Sequence, residues 1–148
     1  AGLRPGTRMS LEGPYGALTA AVRTKPKVLL LGAGIGITPL RALFEELSGD
    51  VVLVHRAHRQ QDLALRAEVE LLAGRPGRVA HHVVGPRGGP RDVTHPVGLL
   101  ALVPDVADRD VYLCGPDGFT AAARRALRVA GVPDRQVHAE SFALDGSS

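Results

Sequence analysis

Short stretches of this chain are apolar without interruption, among them Val28-Leu29-Leu30-Leu31, Val51-Val52-Leu53-Val54 and Val111-Tyr112-Leu113-Cys114. A strand with one wet face alternates polar and apolar residues, so an unbroken run needs cover on both sides. Between the runs the residues take up a helical period. Thr38 to Leu47 sets Leu40, Leu43, Phe44 and Leu47 on one face, with Thr38 as the expected N-cap and Pro39 at the first helical position. Asp62 to Ala73 carries Leu63, Leu65, Val69 and Leu72, points Glu68 and Glu70 outward, and is closed by Gly74. A third strand is expected over Val79 to Val84, a short helix over Val97 to Val103, a helix over Asp117 to Ala130 and a last strand over Val137 to Phe142. Strands alternating with helices define an α/β fold, a doubly wound parallel sheet covered on both faces.

With 148 residues and 45% hydrophobic content, the chain is long enough for one domain with its own core. Aromatics are scarce (three Phe, two Tyr, no Trp), so that core is built from Leu, Val, Ile and Ala. No apolar run is long enough to span a bilayer, and no membrane contact is expected of this segment. The net charge of +3 raises the question of nucleic acid. The basic residues, however, are mostly arginines interleaved with acids, without a run of five or an aromatic stacking platform. Nucleic acid is therefore not an expected partner. Cys114 is the single cysteine, which excludes an intrachain disulfide and fits a reducing compartment. The expected location is the cytoplasm, or the cytosolic face of a membrane-bound parent.

Ala1 to Gly16 reads differently. Arg8-Met9-Ser10-Leu11-Glu12 alternates, and Gly13-Pro14-Tyr15-Gly16 breaks the pattern, as one strand and a turn would. A single strand cannot bury its own face. Residues 1–16 are expected to be the remnant of a preceding β domain, residues 17–26 a linker, and residues 27–148 the α/β domain. The chain does not begin with Met and is read as a fragment.

Two glycine-rich turns carry the chemistry. Gly32-Ala33-Gly34-Ile35-Gly36-Ile37-Thr38-Pro39-Leu40 follows the first strand and opens the first helix. Glycines there let the backbone turn tightly and let a pyrophosphate approach the free N–H groups of the helix start. The spacing is Gly-x-Gly-x-Gly, not the dehydrogenase Gly-x-Gly-x-x-Gly, and packing by itself can require such a turn. Cys114-Gly115-Pro116-Asp117-Gly118-Phe119 also joins a buried strand to a helix. In a doubly wound sheet, two such turns at neighbouring strand ends can flank one ligand. Cys114 has no paired histidine in local sequence, which argues against a nucleophile. His81, His82 and His95 lack metal-ligand spacing, and no metal site is expected.

The run Leu29 to Leu40, the segment Asp110 to Phe119 and the ending Val132-Pro133-Asp134-Arg135-Gln136-Val137-His138-Ala139-Glu140-Ser141-Phe142 together resemble the ferredoxin–NADP reductase superfamily. Within it, the chain is most similar to bacterial ferric-reductase-like and flavohaemoprotein-like electron-transfer proteins. Gly13-Pro14-Tyr15-Gly16 looks like the end of that family's flavin barrel. The resemblance implies an NAD(P)H-binding domain whose flavin, FAD or sometimes FMN, is held mainly by a missing upstream domain, since no Arg-x-Tyr-Ser-type flavin motif is present. It implies a five-stranded sheet in the order 3-2-1-4-5, with strands starting near Val28, Val51, Val79, Val111 and Val137. Gly32, Gly34, Ile35, Gly36, Ile37, Thr38 and Pro39 would line the pyrophosphate and nicotinamide side. Cys114, Gly115 and Pro116 would lie near the nicotinamide, with Asp117 and Phe119 bordering the ribose. Phe142 would pack toward the flavin beside Glu140, making Cys114, Glu140 and Phe142 the residues nearest the reaction.

Coenzyme choice is set just after the second strand, where an acid prefers the free 2′-hydroxyl and arginine a 2′-phosphate. Val54-His55-Arg56-Ala57-His58-Arg59 offers no acid until Asp62, which favours NADPH over NADH, with Arg56 and Arg59 as candidate contacts. The expected function is to position nicotinamide for hydride transfer to a flavin and onward electron transfer to an acceptor this segment does not encode. The alternative is a non-catalytic nucleotide-binding regulatory domain on the same fold. A hydrolase or methyltransferase sheet is disfavoured by the lack of a Gly-x-Ser-x-Gly elbow and of an acid after the second strand.

Overall fold

A computed structural model describes residues 18–143. Its strands are β1 (Lys27–Ala33), β2 (Asp50–Ala57), β3 (Arg78–Val84), β4 (Arg109–Pro116) and β5 (Val137–Phe142). Its α-helices are α1 (Ile37–Glu46), α2 (Arg66–Leu72), α3 (Pro96–Leu102) and α4 (Asp117–Val129). All strand pairs are parallel, in the order β3-β2-β1-β4-β5. The expected order holds, and the chain reverses direction across the sheet between β1 and β4.

Two hydrophobic layers explain the unbroken apolar runs. Leu29 and Leu31 of β1, Val52 and Val54 of β2, and Val111 and Leu113 of β4 pack beneath Leu99 of α3 and Phe119, Ala123 and Leu127 of α4. Val28, Leu30, Val51, Leu53, Tyr112 and Cys114 turn to the opposite layer. There they meet Ile37, Leu40, Leu43 and Phe44 of α1 and Val69 and Leu72 of α2. Burial of an aliphatic side chain contributes about 1.5–3 kcal/mol, so these strands need both layers.

Several expected boundaries move. Thr38 is not the N-cap of α1: a 3₁₀ turn, Gly34–Gly36, runs straight into the helix, and Gly36 in the cap position has helical torsions. Pro39 accordingly stands in the first turn but not at its first position. Helix α2 begins at Arg66 rather than Asp62. Gln60–Asp62 forms a separate 3₁₀ turn capped at Leu63, and Leu65, with φ of 61°, is the cap before α2. Nδ1 of His95 accepts from the Val97 backbone N–H at 3.1 Å and caps α3, with Pro96 at its start.

The stretch expected to be a linker is seated on the sheet from Leu18 onward. Leu18 is buried, the Tyr112 hydroxyl donates to the Thr19 carbonyl at 3.0 Å, and the buried Asp110 carboxylate accepts from Thr24 and from the Lys25 backbone N–H. The expected β remnant over residues 1–16 lies outside the described residues.

Candidate nucleotide-binding site

The carboxyl ends of β1, β2 and β4 open into a cleft of about 480 Å³ lined in part by Gly34, Ile35, His58, Arg87, Pro116 and Phe119. This is the switch point of a doubly wound sheet, where neighbouring connections leave on opposite faces and cannot fill the gap between them. The volume falls within the range of about 300–1,000 Å³ typical of small-molecule sites.

Gly34 forms the edge of the cleft. Its φ of +58° is one that residues with a β-carbon rarely adopt, and a β-carbon there would meet nothing within 4 Å. The backbone is thus exposed to whatever enters. Gly36 is glycine for a different reason: a β-carbon would lie 2.3 Å from the Cys114 carbonyl oxygen, so the turn rests directly on β4. Packing requires the glycine at Gly36, whereas at Gly34 only the left-handed torsion does, and the space beside it is open.

His55 of β2 holds the turn from below. It is fully buried, and Nε2 lies 3.1 Å from the Gly34 carbonyl oxygen. Only a protonated Nε2 can donate to a carbonyl, which leaves Nδ1 as the other nitrogen, buried and without a partner. Burial, outweighing the Gly34 bond, pushes the His55 pKa below its usual value and keeps the ring neutral.

The second turn supplies the opposite wall. Gly32, Cys114 and Glu140 stand side by side across β1, β4 and β5, and Pro116 stands beside Phe142 two residues further on. Cys114 is fully buried, and burial, helped by Glu140, pushes its thiol up to about 12. It is a neutral thiol, unsuited to nucleophilic attack. Phe142 is buried in the same layer, whereas Asp117 at the start of α4 is exposed. Gly115 is packed against the Phe119 ring, and Ile37 is fully buried behind the glycine turn, with Thr38 exposed one residue on.

Arg56, expected as a candidate contact for the 2′-phosphate, stands on the cleft lining but is only 3% exposed: its Nε donates to Asp92 at 2.8 Å and its Nη2 to the Gly85 carbonyl at 2.8 Å. Arg59 is exposed but paired with Asp62 at 3.1 Å, and it lies outside the cleft lining. A second arginine on the lining, Arg87, comes from the loop between β3 and α3. Sequence reasoning passed over it. The expected strand order already put the loop after β3 two strands from the glycine turn, and that was the available signal.

Sheet order, switch-point cleft and open glycine turn define a dinucleotide-binding α/β domain. The family model for the oxidoreductase NAD-binding domain matches residues 30–125, and the chain belongs to that family. It is 40% identical over 122 residues to the ferredoxin reductase component of 3-ketosteroid-9-alpha-monooxygenase from Mycolicibacterium smegmatis, a match covering 77% of this chain and 33% of that protein. It is 34% identical over 151 residues to a flavohemoprotein of Pseudomonas putida, covering 95% of this chain and 38% of that protein. Among solved structures it is similar to the FAD/NAD-binding domain of nitric oxide dioxygenase from Vibrio cholerae. There the TM-score is 0.67 at 26% identity, over 82% of this chain and 53% of that one. The chain spans well under half the length of the curated relatives it matches. These relatives support the electron-transfer reading and lend nothing to a regulatory one.

Proposed function

We propose that this chain binds NADPH in the switch-point cleft and presents its nicotinamide to a flavin held by a neighbouring domain of the same protein. The observation that carries the reading is Gly34: a backbone turn held in left-handed torsions, open on its outer side, at the mouth of the cleft. The pyrophosphate would lie along the Gly34–Gly36 turn, the amino-terminal end of the continuous 3₁₀–α1 segment, whose dipole favours an anion. The adenosine end would extend toward His58, Gln61 and Arg87, and the nicotinamide end toward Cys114 and Pro116.

Arg87 supports NADPH over NADH. Its loop provides a cation at the adenosine side of the cleft, while Arg56 is held by Asp92 and the acid on that lining, Asp62, is paired with Arg59. Bound NADPH supplies the hydride and the flavin accepts it; the residues of this chain orient and desolvate the nicotinamide. Pro116 and Phe119 line this end of the cleft, with Cys114 and Phe142 buried behind them outside the lining. The electron acceptor beyond the flavin is a separate partner, and a cytoplasmic setting accords with the unpaired thiol.

Titration of the chain with NADPH and NADH by calorimetry tests the reading. Saturable binding of NADPH, tighter than NADH, is expected. Arg87→Ala should remove that preference by weakening NADPH about 10- to 100-fold, the range for a charge-assisted phosphate contact. Absence of binding to either coenzyme overturns the proposal.

A further inference from the structure

The buried pair of Arg56 and Asp92 touches more of the cleft wall than its two side chains suggest. Asp92 is 4% exposed and lies in the loop between β3 and α3. Besides Arg56, its carboxylate accepts from the Gly88 backbone N–H at 2.8 Å, from its neighbour Val93 N–H at 2.9 Å and from the Thr94 hydroxyl. Arg56 in turn donates to the Gly85 carbonyl. One ion pair therefore ties the loop backbone at Gly85 and again at Gly88, and Arg87 stands between the two ties.

The Gly85 N–H also donates to the Ala57 carbonyl and the Asp92 N–H to the Gly89 carbonyl, and Val93 is buried. On either side of Arg87 itself, the bonds to Arg56 and Asp92 add the side-chain tethers. The loop follows β3, an edge strand with a neighbour on one side only. Gly85 and Gly88 both have positive φ, and no atom would obstruct a β-carbon at Gly85, Gly88 or Gly89. A glycine-rich backbone of this kind has many accessible torsions, so its shape must come from tethers.

We infer that Asp92, held by Arg56, is a positioning residue for coenzyme selection: the pair fixes the Gly85–Gly88 backbone so that Arg87 projects into the adenosine side of the cleft. Arg56 then serves NADPH recognition through Asp92 and the loop, without touching the phosphate. The inference rests on the reading of the cleft as an NADPH site, and a double-mutant cycle separates the two.

NADPH and NADH affinities are measured for the wild type, Asp92→Asn, Arg87→Ala and the double variant. Asp92→Asn keeps the side-chain shape and removes the charge that gathers the donors. It should weaken NADPH about three- to thirtyfold and leave NADH nearly unchanged, and it should cause little further loss once Arg87 is alanine, because coupled residues are not additive. Equal losses for both coenzymes, or a loss that adds in full to that of Arg87→Ala, overturn the inference while the NADPH site stands. If Arg87→Ala leaves NADPH binding unchanged, the selection reading itself fails. Should Asp92→Asn not fold, Thr94→Val removes one donor to the same carboxylate. The same pattern is then expected at smaller amplitude, with faster exchange of the Gly88 amide hydrogen, and an unchanged NADPH-to-NADH ratio in that variant counts against the inference.

Discussion

The carbonyl oxygen of Cys114 occupies the space that a side chain on Gly36 would need, 2.3 Å from where its β-carbon would stand. The glycine turn and β4 are therefore in backbone contact across the switch point, with no room between them for a side chain. Gly36→Ala must displace one of them, and overpacking of this kind costs about 1–3 kcal/mol. Gly34→Ala meets open space and pays only for its left-handed torsion, about 1–2 kcal/mol. Denaturant midpoints should fall in both. Both should weaken NADPH and NADH alike, Gly36→Ala by displacing a cleft wall and Gly34→Ala by placing its β-carbon in the space the pyrophosphate would use.

Cys114 offers a second test. A fully buried thiol pushed up to about 12 stays protonated at pH 8 and should resist alkylation in the folded chain, reacting only after unfolding. In a protein that joins this chain to the proposed flavin domain, Cys114→Ser should slow flavin reduction while the coenzyme dissociation constant moves little. Hydride transfer is steep in geometry, and a shift of about 1 Å can cost a hundredfold. A variant that loses melting temperature through its buried hydroxyl yet reduces flavin at the normal rate would remove Cys114 from the reacting edge.

Acid should destabilise the chain in a window set by histidine. Burial lowers the pKa of His55, His81 and His82 below their ordinary 6.5, so the folded state binds fewer protons than the unfolded one as pH falls through that value. Their contribution is complete above about pH 6.5 and is lost as pH falls through the folded values. Asp105 adds a second window. Hydrogen bonds from Arg109 and Lys27 hold it at about 2 against an ordinary 3.8, so its contribution is present above 3.8 and is lost toward pH 2. Melting temperature against pH should decline first below about 6.5. In His55→Phe that first decline should be shallower; an unchanged slope would show that His55 does not supply it.

At the far end of the sheet from the cleft, Arg109 donates to the Val28 carbonyl at 2.9 Å, to Asp105 at 3.0 Å and to Asp50 at 3.0 Å, with only 4% of its surface exposed. It joins the starts of β1, β2 and β4. Arg109→Met should lower stability by about 1.5–3 kcal/mol, the scale of a hydrogen bond to a charged group. Because this end carries no cleft residue, coenzyme affinity per folded molecule should not change. A parallel loss of affinity and stability would show that the two ends of the sheet are coupled.

The layered fold was legible in the sequence because burial on both faces leaves a direct trace: Val28 to Leu31 and Val51 to Val54 have no polar position to expose. The glycine turn was legible for a related reason, since a strand that must hand over to a helix within a few residues needs torsions that glycine supplies. What the sequence could not settle was pairing between distant positions. Arg56 sits beside His58 and Arg59 in the chain and reads like them, yet its side chain lies on the opposite face of β2 from His55 and meets Asp92, 36 residues away. Thr38 has the chemistry of a cap, but the helix had already begun in the 3₁₀ turn before it. Residue types determined which segments are strands, helices and tight turns, because those follow from local torsions and from which faces must leave water. Only the tertiary structure decided which charges are consumed in ion pairs and which remain at the cleft, because that depends on which loops the sheet order brings together.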